Sequence, residues 1–292
     1  MSCIKTVAPE LCVIFNTQTI AVVAIAGFLF LDLNMPIDYL RRLSGRTRTR
    51  SANQQLGAFL ALVAGAVNAG GFLAVNQYTS HMTGFISSVA DNLVLGNALL
   101  VLAGLGSLAS FLCGAATTAI LINWARHRNM HAEYAFSLVI EAFLLLVFGL
   151  LGANLNAYIA VTVPATVLLL CYIMGLQNAI VTKISNAEIR TTHVTGVVTD
   201  LGIELGKMFY WNRRNDKTAA GHVHANRDKL KIHVIILTMF FIGGVVGAVG
   251  FKHLGFMTVL PFAFGLFILA LIPIIDDALF YLRIMRKQAP SE

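Results

Sequence analysis

The sequence is short of charge. Of its 292 residues, 12% are charged and 57% are hydrophobic. Soluble domains carry about 25% charged residues, so this chain has too little charge to cover a water-facing surface. Common signatures of chemistry are missing as well. There is no Gly-rich phosphate loop, no His-Glu-x-x-His and no Gly-x-Ser-x-Gly pattern. The four cysteines, Cys3, Cys12, Cys113 and Cys171, show no paired spacing, which argues against a disulfide framework. Cys113 and Cys171 lie in apolar segments, where a thiol packs as a small apolar group. His222, His224 and His233 follow no metal-ligand spacing and read as a solvated loop. No metal, cofactor or catalytic residue is expected.

What the chain has is apolar length, with a mean hydropathy of +0.75. Helices are expected at about 54–72, 82–97, 98–124, 134–152, 157–180, 193–211, 231–252 and 256–275. A spanning helix needs about 20 apolar residues. The segments from 82 and from 193 are shorter and carry Asp91, Asn92, Asp200, Glu204 and Lys207. They read as partial spans. The net charge of +7 comes from basic residues between the apolar stretches, the pattern of loop orientation in a bilayer. The expected partner is therefore lipid rather than nucleic acid.

The basic clusters are Arg41 to Arg50, Arg126 with Arg128, the stretch from Arg213 to Lys231, and Arg283 to Lys287. If both short segments fail to cross, six spans place all four clusters on the cytoplasmic side, as the positive-inside rule asks. If both cross, there are eight spans, and Arg126 and Arg128 fall outside. The six-span plan is preferred. The expected fold is an all-α integral membrane protein of two repeats, each with three spanning helices and one re-entrant half-helix. Repeat 1 covers 54–152. Repeat 2 covers 157–275 and includes a cytoplasmic loop at 212–230. A basic cytoplasmic segment, 35–53, precedes them, and a cytoplasmic tail, 276–292, follows. Residues 1–34 read as an over-extended start ahead of Met35.

The repeat rests on matched blocks. Gly65-Ala-Val-Asn68-Ala69 and His81-Met-Thr83-Gly84 answer to Gly175-Leu-Gln-Asn178-Ala179 and His193-Val-Thr195-Gly196. Further on, Phe111 and Gly114 align with Phe241 and Gly244. Three crossings per repeat invert the second copy, the plan of many secondary transporters with a site between the halves. Eight spans make the copies parallel.

Within this plan, Thr83 and Thr195 are expected N-caps of the half-helices, with Gly84 and Gly196 allowing close backbone approach. A helix start with unpaired N–H groups suits an anion or polar group. Both starts are expected near the midplane, flanked by His81 and His193. Asn68 and Asn178 lie in apolar helices, for interhelical bonding or for substrate contact. Asp91, Asp200, Glu204 and Glu141 are ion-coupling candidates, because ionisable groups in a membrane are costly. Pairing of Glu204 or Asp200 with Lys207, and of Glu141 with Arg126 or Arg128, are the plainer alternatives. Gly243-Gly244 with Gly247 reads as a packing stripe.

The four matched blocks resemble the YoaK-like family of bacterial inner-membrane proteins, over about residues 40–285. The resemblance implies a multi-span protein of the bacterial inner membrane and no established substrate. It also implies Asn directly after the first Thr-Gly, where this chain has Phe85. The functional expectation is a small secondary permease for an anion or polar metabolite. Its substrate residues are expected to be His81, Thr83, Gly84, His193, Thr195, Gly196, Asn68 and Asn178. A non-transporting partner or sensor subunit is the alternative, followed by a membrane enzyme acting on a lipid-linked substrate. Homo-oligomerisation stays open.

Overall fold

The computed structural model describes residues 50–130, 132–154, 159–184, 192–210 and 223–288. The readings of residues 1–34 and of most of the 212–230 loop lie outside them. Among the described residues the fold is helical without strands. The elements are α1 (Arg50–Val75), α2 (Met82–Val94), α3 (Ala98–His127), α4 (Ala135–Ala153), α5 (Ile159–Ile184), α6 (Val194–Phe209), α7 (Arg227–Leu254) and α8 (Val259–Gln288). Eight helices stand where the apolar pattern puts them.

Five stretches are long and apolar enough to cross a membrane: Ser51–Val75, Ala98–His127, Ala135–Ala153, Ile159–Ile184 and Arg227–Phe280. The last holds both α7 and α8. At 1.5 Å per residue its 54 residues would reach about 80 Å, against roughly 30 Å of hydrocarbon. Gly255, at φ 61°, breaks the run after Leu254, and a short 3₁₀ turn, Gly255–Thr258, leads into α8. There the backbone needs the left-handed region that glycine enters cheaply. Beyond the break α8 packs along α4. Gly149 faces Val259, while Ala132, earlier in the chain, donates its N–H to Asp277, later in the chain. The two helices therefore run in opposite directions.

Two glycine crossings organise the bundle. In the first, α1 meets α7: Gly65 sits against the Phe240 carbonyl, and Gly243 against the Leu62 carbonyl. Gly247 meets Ala66 one turn on, so α1 and α7 run the same way. In the second, α3 meets α5: Gly175 sits against the Phe111 carbonyl and Gly114 against the Tyr172 carbonyl. Ser110 Oγ donates to the Leu168 carbonyl at 2.6 Å and Thr118 Oγ1 to the Leu176 carbonyl at 3.1 Å, so this pair is also parallel. Small residues let backbones approach where lipid gives no hydrophobic drive. The crossings match contact for contact and pair Phe111 with Phe240 and Gly114 with Gly243. The sequence alignment with Phe241 and Gly244 is one residue off. Both positions are doublets, Phe-Phe and Gly-Gly, and only the close approach selects the member. A Cβ on Gly244 would make merely an ordinary contact with the Gly65 carbonyl.

Between the crossings, α1 packs on α5 in the opposite sense. Asn53 Nδ2 donates to the Ile184 carbonyl at 3.2 Å, and Gln177 Nε2 to the Leu60 carbonyl at 3.0 Å. The core, with Leu56, Leu60, Leu145, Phe148, Leu170 and Ile173 fully buried, sits among these helices. Outward faces stay apolar, as at Ile120, Phe143, Leu150 and Phe264. Such a surface suits lipid rather than water.

The last helix runs past the expected end near 275, through Asp276 and Asp277. The carboxylates do not stop it, because Asp277 Oδ2, buried, accepts the Ala132 N–H at 2.9 Å. That bond ties the C-terminal part of α8 to the turn before α4. Asp277→Ala leaves a buried donor unpaired, which costs about 1–3 kcal/mol. The expected outcome is a lower apparent melting temperature in detergent. Asp277→Asn keeps an acceptor oxygen and is expected to melt closer to wild type.

Candidate functional site

The two half-helices begin in the same way. Their N-caps are His81 and His193, neither with a side-chain capping bond. Thr83 and Thr195, expected as N-caps, lie one step inside the first turn. The helix starts before them, because the first helical bonds run from Phe85 N to His81 O at 3.2 Å and from Val197 N to His193 O at 3.0 Å. The N–H groups of Thr83, Gly84, Thr195 and Gly196 precede those bonds, among the donors a helix start leaves without helical partners. Each His ring lies over the glycine of its own first turn. A Cβ at Gly84 would overlap the His81 imidazole, and one at Gly196 would overlap that of His193. A side chain at either position would push the exposed ring aside. His81, Thr83, His193 and Thr195 are exposed on the protein surface.

Each start is tethered to a long helix. Ser80 Oγ donates to Asn68 Oδ1 at 2.9 Å, and Thr192 Oγ1 donates to Asn178 Oδ1 at 2.7 Å. Both asparagines are half-buried. The sequence reading picked out Asn68 and Asn178 but missed Ser80 and Thr192. The signal was available, since a hydroxyl residue precedes the histidine in both blocks.

The register of α1 against α5 sets the spacing of the two tethers. It places Asn178 level with Phe59, so Asn68 lies nine residues, on the order of 13 Å, further along the axis. The tethers therefore stand on either side of the middle of the α1–α5 pair. The expected meeting of both starts at one midplane point is not what this register gives.

The acidic candidates fall in different places. Asp91 is exposed on α2, a helix with no buried residue. Asp200 Oδ2 lies 3.2 Å from Lys229 Nζ and 3.4 Å from His233 Nε2 on α7. Glu204 takes the Lys207 ammonium at 2.8 Å on one oxygen and the Asn226 N–H at 2.7 Å on the other. The Lys207 bond first, then that N–H, hold its carboxyl below the ordinary carboxylate range. The plain pairing with Lys207 thus holds for Glu204. His233, expected in a solvated loop, is buried in α7, with Nδ1 2.7 Å from the Lys229 carbonyl. The helix begins at Arg227, ahead of the expected start, and draws it in. Glu141 is fully buried on α4. Arg126, one of its expected partners, bonds Glu133 at 2.8 Å and the Tyr134 hydroxyl at 3.0 Å instead. Arg128, the other, lies over the Trp124 ring.

Among the described residues no group of three His, Cys, Asp or Glu side chains is placed to hold a metal.

Long apolar helices crossing at glycines, with two short polar-tipped helices beside them, define a multi-pass α-helical membrane protein. Residues 56–272 match the family described as protein of unknown function DUF1275, and the chain belongs to that family. It is 27% identical over 221 residues to the UPF0700 transmembrane protein YoaK of Bacillus subtilis (strain 168), a match covering 73% of this chain and 92% of that protein. No solved structure matches the chain.

Proposed function

We propose that the protein is a small secondary permease for an anion or polar metabolite of a bacterial cell, with six crossings and, if residues 1–34 do not span, both ends in the cytoplasm. The observation that carries this reading is the duplicated constellation. Asn68–Ser80–His81–Gly84 and Asn178–Thr192–His193–Gly196 hold the same bonds in the two halves. The helices that bear them, α1 and α5, are packed in opposite directions. Two copies of one motif on oppositely directed helices are what an inverted repeat produces, and such repeats bracket the substrate path in many transporters. Each copy would serve one half of the path, with the N–H groups of the half-helix start as donors to the solute.

The contact directions support six crossings. With α1 running outward, α7 parallel to it runs outward, and α5, opposed to α1, runs inward. Then α3, parallel to α5, runs inward, and α8, opposed to α4, completes three outward and three inward helices if α4 runs outward. Arg126, Lys183 and Arg227 then all lie at cytoplasmic ends.

Purified protein in liposomes is expected to move at least one small anion or polar solute in a broad flux screen. Replacing His81 and His193 together by Ala is expected to cut that flux about tenfold or more. Tenfold is 1.4 kcal/mol, the scale of one hydrogen bond in a site. A screen in which no solute moves would overturn the reading.

A further inference from the structure

Four carboxyl groups stand out on the helices near the candidate site, and three have an evident setting. Asp91 is exposed, Asp200 faces Lys229 and His233, and Glu204 is bonded to Lys207 and the Asn226 N–H. Glu141 is different. It is 0% exposed, and neither carboxyl oxygen has a hydrogen-bond partner. One turn earlier on the same face of α4, the buried Ser137 hydroxyl is also without a partner. The rest of that face is Leu138, Ala142, Leu145 and Phe148. Glu141 lies six residues into α4, about 9 Å from its start.

Among the described side chains, the charged and titratable groups on the helices packed against α4 lie elsewhere or are engaged. On α3, Arg126 is taken by Glu133 and Tyr134, and His127 is exposed. On α5, the Tyr172 hydroxyl bonds Thr117, Cys171 lies beside Ser107, and Lys183 is exposed. On α8, Asp277 accepts the Ala132 N–H, and Asp276 lies next to it in the chain. No cation among these answers Glu141. A carboxylate left ionised in such a place would lack both a counter-ion and a donor, at a cost of many kcal/mol. An ionisable residue inside a membrane-spanning helix is by default a candidate for a proton or ion path.

We propose that Glu141 is a proton-binding site, occupied by a proton in this conformation, with Ser137 as the hydrogen-bond donor to the carboxylate that remains when the proton leaves. On release the carboxyl O–H breaks, the proton passes to water, and the carboxylate accepts a hydrogen bond from Ser137 Oγ. Nothing is oxidised or reduced. In the permease, binding and release at Glu141 drive the solute step. That last clause alone rests on the transport reading; proton binding at Glu141 does not.

The test uses dicyclohexylcarbodiimide, an apolar reagent that adds across the O–H of a protonated carboxyl in apolar surroundings and rearranges to a stable adduct. Whole protein in detergent is treated over a range of pH, and the adduct is located by peptide mass spectrometry. The expected result is labelling confined to the peptide that holds Glu141, fading as pH rises and absent in Glu141→Gln. Ser137→Ala, which removes the stabiliser of the charged form, is expected to carry the labelling to higher pH. Wild-type peptide mapping gives an answer even where a variant fails to fold. An unlabelled Glu141 at acid pH, or an adduct placed on Asp91, Asp200 or Glu204 instead, overturns the proposal. Because no flux is measured, a failed solute screen leaves this result standing.

Discussion

Gly175→Ala is expected to lower the apparent melting temperature sharply, and Gly65→Ala to do the same. In each case the added Cβ would land on a main-chain carbonyl of the facing helix, that of Phe111 or of Phe240. A flexible side chain could swing away, but a helix backbone cannot, so the two helices must part. Parting them also pulls Gly114 from Tyr172 or Gly243 from Leu62, since each crossing is gripped from both sides. It loosens Ser110 and Thr118 from the Leu168 and Leu176 carbonyls as well. Overpacking of ordinary side chains costs 1–3 kcal/mol. Backbone overlap puts the cost at about 3 kcal/mol or more, a large share of the roughly 5–15 kcal/mol that holds a protein folded. The matched controls are Gly202→Ala and Gly206→Ala on α6, where nothing lies within 4 Å of the new Cβ. There alanine gains helix propensity of about 1 kcal/mol. Size-exclusion profiles and apparent melting temperatures in detergent separate the two classes. If Gly175→Ala melts with wild type, the close crossing is wrong.

These crossings also show how much the sequence could tell. Segment length and hydropathy were enough to place eight helices, because the demand for backbone bonding in lipid leaves helices as the natural answer. The glycines were visible as a stripe, but which glycine touches which carbonyl depends on helix rotation, and the Gly243-Gly244 doublet hides a one-residue choice. The tips of α2 and α6 were visible as His-x-Thr-Gly. The capping residue was misread because Thr is the better N-cap by propensity, whereas here the chain turns into helix at the preceding histidine. Asp200 and Glu204 looked like a pair one turn apart on one face. Lys207, three residues after Glu204, is legible as its partner, but the others, Lys229 and His233 on α7 and the N–H of its N-cap Asn226, lie far along the chain, and no local pattern announces them. Glu141 was flagged for its apolar neighbourhood. That it lacks a partner is a property of three-dimensional packing alone, since Arg126 and Arg128 were near enough in the chain to have supplied one.

The topology itself gives the second large effect, because cysteine labelling from one side of a membrane is close to all-or-none. With Cys3, Cys12, Cys113 and Cys171 removed, Asn154→Cys is expected to react with an impermeant maleimide added to intact cells, and Asn129→Cys is not. Asn129 follows α3 and its terminal Arg126 and Arg128, with Arg128 set over the Trp124 ring, an arrangement suited to a cytoplasmic membrane edge. Asn154 caps the far end of α4, beyond a helix of nineteen residues that is long enough to cross. One helix thus separates the two reporters, and they must differ in side if α4 spans. Asn129 has φ 54°, so Cys there costs about 1–2 kcal/mol of backbone strain, a load that an exposed turn can carry. Permeabilised cells should label position 129, which shows that the cysteine is present and reactive. The opposite pattern, 129 reacting from outside and 154 protected, would mean that α2 and α6 both cross. The two copies of the His-x-Thr-Gly motif would then point the same way through the membrane. The opposed packing of α1 and α5 would have to be given up with the permease reading built on it, while carbodiimide labelling would still decide the proton at Glu141.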